Sequence, residues 1–130
     1  MNILIIDDEL ISRKKLLEIL KPLGDCTEIS ESTEALPAFE KAIRTNHGYN
    51  FVALDIRMPD PDGMVILEKM REMEKKMCVL SNKKATIFMV TSITDKQKVL
   101  EALKKGANDY IMKPFTAEQL MDRLKLHKLI

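Results

Sequence analysis

Cysteine and glycine motifs with recognisable chemistry are absent from this sequence. Its two cysteines, Cys26 and Cys78, are far apart and form no CxxC or Cys/His spacing, which argues against a metal or redox centre at sulfur. No GxGxxG follows the first apolar run, so a dinucleotide-binding domain is disfavoured. We therefore expect two reduced thiols in a cytoplasmic protein.

Long apolar runs and an excess of one charge are also missing. No run approaches the roughly 20 residues of a membrane span, and residues 2–9, NILIIDDE, turn acidic too early for a signal peptide. Lys and Arg number 21 against 20 Asp and Glu, so no overall field favours nucleic acid or an anionic membrane. With 45% apolar and 32% charged residues, the 130 positions predict a single domain, residues 1–130.

Apolar runs typical of buried strands alternate along the chain with stretches of helical periodicity. The predicted strands cover residues 3–6, 26–30, 51–54, 85–90 and 109–112. The predicted helices cover residues 10–20 and 32–44 and begin near residues 64, 96 and 117. Five strands that alternate with five helices predict an α/β domain whose parallel sheet is covered by helices on both faces.

Several local signals set the expected helix ends. Ser32 is a candidate cap for the second helix, although Pro37 inside that helix implies a late start or a bend. Thr94 and Thr116 each begin a four-residue capping-box pattern that ends in glutamine. Residues 72–84 are polar and lysine-rich, and we expect a helix end followed by a loose surface loop. His47 and His127 are expected to be solvated.

Polar side chains follow four of the five predicted strands, and the second strand contributes no comparable group. These residues are Asp7, Asp8 and Glu9 after the first strand, Asp55 after the third, Thr91 after the fourth and Lys113 after the fifth. Ligands of open α/β sheets bind beyond the carboxyl ends of the strands, where these groups converge if the first strand is central. Neighbouring carboxylates repel by about 4 kcal/mol per pair at an effective dielectric near 20. A divalent cation between the carboxylates replaces this repulsion with a net attraction, and oxygen donors suit Mg²⁺.

The remaining groups at this edge fit phosphoryl transfer. Lys113 is a compact cation for a carboxylate or a phosphoryl oxygen, and Thr91 offers a hydroxyl donor. Asp55 is then the natural nucleophile, because an aspartate can form an acyl phosphate. Glu9 fits better as a charge at the start of a helix than as a ligand.

Four segments together carry a resemblance to a known family. IIDDE, LDIRMPDPDG, TS and GANDYIMKPF resemble the receiver domain of two-component response regulators, the CheY-like family, over essentially the whole chain. The resemblance implies a doubly wound five-stranded parallel sheet in the flavodoxin-like order. It also implies that Asp55 accepts a phosphoryl group from a sensor histidine kinase, a phosphotransfer protein or a small donor such as acetyl phosphate.

The resemblance further implies a ligand set for Mg²⁺ or Mn²⁺. Asp8 and Asp55 would bind the ion directly, the backbone carbonyl of Arg57 would be the third protein ligand, and Asp7 would act through a metal-bound water. Apart from its own phosphorylation and dephosphorylation, the chain is expected to catalyse no reaction.

It also implies the parts of a switch. Thr91 and Lys113 would contact phosphoryl oxygens, and the Lys113–Pro114 peptide would be cis. Tyr110 occupies the position of an aromatic switch, which turns inwards when Thr91 moves towards the phosphoryl group.

The expected output is contact with another protein. Nothing long follows the last predicted helix, so we expect a stand-alone receiver. Its downstream target is expected to bind the surface of helix four, strand five and helix five, which carries Lys96, Lys98, Lys104 and Lys105.

Two alternatives stay open. The chain could be a receiver cut from a longer regulator, such as a DNA-binding transcription factor, or a Mg²⁺-dependent phosphohydrolase. The second is weak, because Arg57 stands where those enzymes usually carry a second aspartate.

Overall fold

The computed structural model describes all residues, 1–130, and contains one five-stranded sheet. The strands are β1 (Asn2–Ile6), β2 (Asp25–Ile29), β3 (Phe51–Leu54), β4 (Thr86–Thr91) and β5 (Asp109–Met112). All neighbouring strands are parallel, and their order is β2-β1-β3-β4-β5. The predicted doubly wound, flavodoxin-like sheet is therefore confirmed, with β2 and β4 displaced by one residue from the expected bounds.

Five helices cover the two faces of the sheet. They are α1 (Leu10–Leu20), α2 (Ala35–Arg44), α3 (Gly63–Lys76), α4 (Lys96–Lys104) and α5 (Ala117–Leu126). Alternate strand residues point to opposite faces, so the sheet has two cores. Leu4 and Val52 belong to the core under α2, α3 and α4, whereas Ile5 and Phe88 belong to the core under α1 and α5. This double burial explains the continuous apolar runs. None of the five helices combines the length and the apolar character that crossing a membrane requires.

The second helix starts later than Ser32, so Ser32 as its cap is wrong. Residues Ser32–Glu34 form a 3₁₀ turn, and α2 begins at Ala35. The Ser32 hydroxyl donates to the carbonyl of Pro59 at 2.7 Å instead, because this loop meets the loop after β3. The late start puts Pro37 in the first turn, where a helix needs no backbone donor.

One of the two predicted capping boxes forms. The Thr116 hydroxyl accepts from the backbone of Gln119 at 3.1 Å, and the Gln119 side chain accepts from the backbone of Thr116 at 2.8 Å. The box at Thr94 is wrong, since Asp95 is the N-cap of α4 and its carboxylate accepts from the backbone of Gln97 at 2.9 Å. A carboxylate one residue later replaces the threonine as the acceptor.

The polar segment 72–84 contains the end of α3 and a mostly exposed loop, as predicted, but one of its charged residues is unexpectedly buried. Glu74 is 2% exposed, and one of its carboxylate oxygens accepts from the backbone of Ala85 at 2.8 Å. Arg71 donates to the other oxygen at 2.7 Å and to the Ala85 carbonyl at 2.8 Å. The same guanidinium donates to the Gly106 carbonyl at 3.0 Å and the Asn108 side chain at 2.7 Å. This network ties α3 to the start of β4 and to the turn before β5.

A second polar cluster joins β5 to the end of α5. Both carboxylate oxygens of the buried Asp109 accept from the guanidinium of Arg123, at 2.6 and 2.7 Å. His127 lies 2.9 Å from the same carboxylate, and its ring centroid is 5.1 Å from that of Phe88. The expectation that His127 is solvated is therefore wrong. Burial raises the pKa of Asp109, but hydrogen bonds from Arg123, the Tyr110 backbone and His127 outweigh it and leave the pKa below its ordinary value.

The lowered pKa of Asp109 predicts an acid-sensitive contribution to stability. Such a carboxyl stabilises the fold above its unfolded pKa, and the contribution disappears as the pH falls through the folded pKa. We expect Asp109→Asn to cost about 1–2 kcal/mol at pH 6, since charge-assisted bonds contribute 1.5–3 kcal/mol and Arg123 is partly exposed. The difference from wild type should shrink from pH 5 to pH 2 in urea unfolding. Asp122→Asn, an exposed change on α5, is the control, and a difference independent of pH would contradict the prediction.

Candidate functional site

Three carboxylates meet at the carboxyl edge of the sheet. Asp7 and Asp8 follow β1, and Asp55 follows β3, the strand that pairs directly with β1. One oxygen from each carboxylate lies within 4.8 Å of the others. Asp7 is 1% exposed and Asp55 is 6% exposed, whereas Asp8 is exposed to solvent. The structure thus brings together the predicted acidic residues because adjacent parallel strands end at the same level.

Backbone groups of the following loops fix both buried aspartates. One oxygen of Asp7 accepts from the backbone of Glu9 at 2.9 Å, and one oxygen of Asp55 accepts from the backbone of Arg57 at 3.2 Å. The second oxygen of each is left for other partners. Gly63 allows the start of α3 to approach this edge, since an added Cβ there would lie 2.0 Å from the Asp55 carbonyl oxygen. That close contact makes Gly63 a supporting residue of the site.

Lys113 supplies the positive charge between the two buried aspartates. Its ammonium lies 2.7 Å from the free oxygen of Asp7 and 3.0 Å from that of Asp55. The Lys113–Pro114 peptide is cis, as expected. Burial lowers the pKa of Lys113, but the hydrogen bond to Asp7 and the charge of Asp55 raise it more, so the lysine keeps its proton.

The site keeps an excess of negative charge. Burial raises the pKa of Asp7, and the hydrogen bonds from Lys113 and the Glu9 backbone offset this only in part. Three carboxylates lie together, and one ammonium contacts two of them. Such a surplus is what a divalent cation neutralises, and the oxygen donors are those that Mg²⁺ prefers.

Thr91 and Tyr110 are linked through one loop residue. Thr91 ends β4 and is fully buried, and its hydroxyl accepts from the backbone N–H of Ile93 at 3.4 Å. The half-buried Tyr110 donates its phenol to the carbonyl of the same Ile93 at 2.7 Å. Ile93 therefore has hydrogen bonds to both Thr91 and Tyr110.

A cleft of about 520 Å³ opens above the carboxylates. Its lining includes Asp8, Asp55, Arg57, Ser92 and Lys113. The nucleophile that the sequence predicts therefore borders space that a phosphoryl donor can enter. Glu9 is the N-cap residue that precedes α1, and its carboxylate accepts from the hydroxyl of Ser12 in the first turn of that helix.

Known proteins share this arrangement of sequence and fold. The family model of the response regulator receiver domain matches residues 3–125. The chain belongs to this family. Chemotaxis protein CheY-3 of Vibrio cholerae is 32% identical over 126 residues, which cover 95% of this chain and 88% of CheY-3. The transcriptional regulatory protein SrrA of Staphylococcus aureus is also 32% identical over 95% of this chain, but the match covers only 46% of SrrA.

Solved structures of receivers have the same fold. A CheY-like receiver domain protein from Methanospirillum hungatei superposes with a TM-score of 0.80 and is 28% identical, with coverage of 98% of this chain and 92% of that one. A chain in the CheX-CheY-BeF3-Mg²⁺ complex from Borrelia burgdorferi has a TM-score of 0.77 and 26% identity, with coverage of 98% of this chain and 89% of that one. The recognition of a CheY-like receiver from its motifs is confirmed.

This receiver also holds a contact that its sequence did not predict. The ammonium of Lys15 on α1 lies 4.4 Å from the centroid of the Phe115 ring and donates to the Phe115 carbonyl. Both residues line the cleft. A cation over an aromatic face is attracted by the ring quadrupole, so Lys15 restrains the loop that follows Lys113. The partners are 100 residues apart, and no local pattern marks the pair.

Proposed function

We propose that this receiver is a phosphoacceptor whose Asp55 takes a phosphoryl group in a Mg²⁺-dependent reaction. The observation that carries the proposal is the position of Asp55, which borders the cleft and lies 3.0 Å from Lys113 beside two further carboxylates. The donor is the phosphohistidine of a sensor histidine kinase or a phosphotransfer protein, or a small molecule such as acetyl phosphate. The cytoplasmic location expected from the sequence belongs to this proposal.

The donor set supports Mg²⁺, or Mn²⁺, at this site. Asp8 and Asp55 border the cleft and are proposed as direct ligands, with the Arg57 carbonyl as the third and Asp7 acting through water. The similar CheX-CheY-BeF3-Mg²⁺ complex from Borrelia burgdorferi contains this ion, which supports Mg²⁺ as the cation at this site. When bound, the ion neutralises the carboxylates and the oxygens of the incoming phosphoryl group.

The proposed step is an in-line displacement at phosphorus. A carboxylate oxygen of Asp55 forms the new P–O bond, while the P–N bond of phosphohistidine, or the P–O bond of acetyl phosphate, breaks with its electron pair on the leaving group. Lys113 stabilises the phosphoryl oxygens electrostatically, and Thr91 donates its hydroxyl to one of them. We propose that the chain catalyses no reaction other than its own phosphorylation and dephosphorylation.

The signal is proposed to leave through α4, β5 and α5. When the Thr91 hydroxyl turns to the phosphoryl group, the Ile93 backbone loses its acceptor, and the bond from Tyr110 to the same residue is disturbed. The new contacts bias an equilibrium between two states of this surface. Leu100 and Met112 on it are 66% and 51% exposed, so a downstream protein has apolar surface to bind.

A specific observation favours one second candidate. Because the match covers 46% of SrrA, the same receiver can occur as one part of a longer transcriptional regulator, and its output would then be passed to an attached domain. The phosphohydrolase reading has less support, because the second residue after Asp55 is the exposed Arg57.

Intact mass spectrometry after incubation with acetyl phosphate tests the phosphoacceptor proposal. Wild type should gain the mass of one phosphoryl group with Mg²⁺ and much less in EDTA. Asp55→Asn should gain none, since the amide is not a nucleophile of comparable strength. Asp122→Asn, which removes an exposed carboxylate from α5, should behave as wild type. Labelling of Asp55→Asn to the same extent would refute the assignment.

A further inference from the structure

Arg13 on α1 contacts both the edge strand β2 and the backbone of the acidic site. Arg13 donates from one terminal nitrogen to the backbone carbonyl of Asp7 at 3.0 Å. Its Nε contacts the Glu28 carboxylate on β2 at 3.3 Å, and the Arg13 side chain is 13% exposed. The Asp7 N–H donates to the Ile29 carbonyl, also on β2, at 3.1 Å. The Asp7 backbone is therefore held by β2 at its N–H and by Arg13 of α1 at its carbonyl.

The carbonyl that Arg13 holds belongs to the peptide that joins Asp7 to Asp8. Asp7 has further restraints, because its side chain accepts from Lys113 and from the Glu9 backbone. The Asp8 carboxylate is exposed and has no protein donor. The position from which the Asp8 side chain starts is therefore set by its backbone, and a rotation of this one peptide would displace that side chain relative to Asp55.

We propose that Arg13, oriented by Glu28, is a positioning residue for the cation site, an inference that rests on the proposed Mg²⁺ binding. The guanidinium group donates to the Asp7 carbonyl and to the Glu28 carboxylate at the same time. A lysine ammonium at this position does not reproduce that geometry. Groups that orient metal ligands without touching the ion commonly change metal affinity by 10–100-fold.

The charge of Arg13 and its positioning effect have opposite consequences, which makes the inference testable. A cation close to the site repels Mg²⁺, so removal of the Arg13 charge alone would tighten Mg²⁺ binding. Loss of the fixed peptide weakens Mg²⁺ binding. Lys14 offers a matched comparison, because its ammonium contacts both oxygens of Glu28 at 3.1 Å and has no contact with Asp7.

Isothermal titration with MgCl2 alone tests the inference on the full chain. Arg13→Gln and Arg13→Lys should each raise the Mg²⁺ dissociation constant by about tenfold. Lys14→Gln should leave that constant within about twofold of wild type. The Mg²⁺ dissociation constant of Glu28→Gln should lie between that of Lys14→Gln and those of the two Arg13 variants. Urea unfolding in EDTA identifies a variant that is merely destabilised, and Arg13→Lys serves if Arg13→Gln does not fold.

The outcomes separate this inference from the proposed function. Unchanged or tighter Mg²⁺ binding by folded Arg13→Gln and Arg13→Lys overturns the positioning effect and leaves the phosphoacceptor proposal intact. Equal weakening in Lys14→Gln also overturns it, because the effect would then not require the contact with the Asp7 carbonyl, which Arg13 makes and Lys14 does not. A wild-type chain that binds no Mg²⁺ overturns both the inference and the proposed Mg²⁺ dependence.

Discussion

Lys113→Met is expected to lower the free energy of unfolding by about 3 kcal/mol in metal-free buffer at pH 7. Removal of one partner from a buried ion pair costs roughly 3–5 kcal/mol, because the remaining charge stays uncompensated. Two aspartates depend on this lysine, at 2.7 and 3.0 Å. The lower end of the range applies because the Lys113 side chain is 15% exposed and the cleft admits water. Methionine preserves most of the apolar stem.

A divalent cation should reverse much of that loss. Mg²⁺ compensates the same carboxylates, and a site without the competing ammonium binds it more tightly. Ligand binding stabilises the folded chain by about 2.7 kcal/mol at 100 times the dissociation constant. Urea unfolding of wild type and Lys113→Met, each in EDTA and in saturating Mg²⁺, measures the difference. Lys104→Met, an exposed change on α4, should be nearly neutral. A loss that Mg²⁺ does not reduce would contradict the account.

Glu74→Ala is expected to destabilise the chain by about 3 kcal/mol. The change leaves the Ala85 N–H without its acceptor and the guanidinium of Arg71 without its carboxylate. A buried donor left unsatisfied costs about 1–3 kcal/mol, and the unpaired charge adds to that. Glu74→Gln keeps an acceptor of similar shape and should cost about half as much.

Chemical unfolding checks this second prediction against a matched control. Glu72→Ala removes an exposed carboxylate from the same helix and should change the free energy of unfolding by less than about 0.5 kcal/mol. Equal effects of Glu74→Ala and Glu72→Ala would show that the buried network does not stabilise the fold.

The sheet was predictable because its signals are local. The runs at residues 3–6 and 51–54 are apolar throughout, as strands buried on both faces require, and each ends directly in an aspartate. Parallel pairing then brings Asp7 and Asp55 together without further information. The same argument placed Lys113 at this edge, although its distances to the two aspartates required the structure.

The errors arose where distant or competing partners decide the outcome. Glu74 looks like one more charge in a polar helix end, and only its contact with Ala85 and Arg71 makes burial favourable. His127 gains its partner from β5, 18 residues earlier. At the start of α4, threonine and aspartate are both good caps at adjacent positions, and the sequence alone does not choose between them.

The supporting shell of the site was the least predictable part. Arg13 and Lys15 read as ordinary exposed cations of a helix, because their partners, the Asp7 carbonyl and Phe115, contribute backbone or aromatic groups that carry no charge signal. Helical periodicity indicates that the two residues point in different directions, but it does not identify which loops lie there.

The most direct test of the account is the identity of the modified residue in the wild-type chain. Borohydride reduces an acyl phosphate to an alcohol, so phosphorylation of an aspartate leaves homoserine that peptide mass spectrometry can locate. After treatment with acetyl phosphate and Mg²⁺, the account predicts homoserine at position 55 alone, in the peptide that follows β3. Homoserine at position 7 or 8, or a phosphoryl group on a residue other than Asp55, would contradict it.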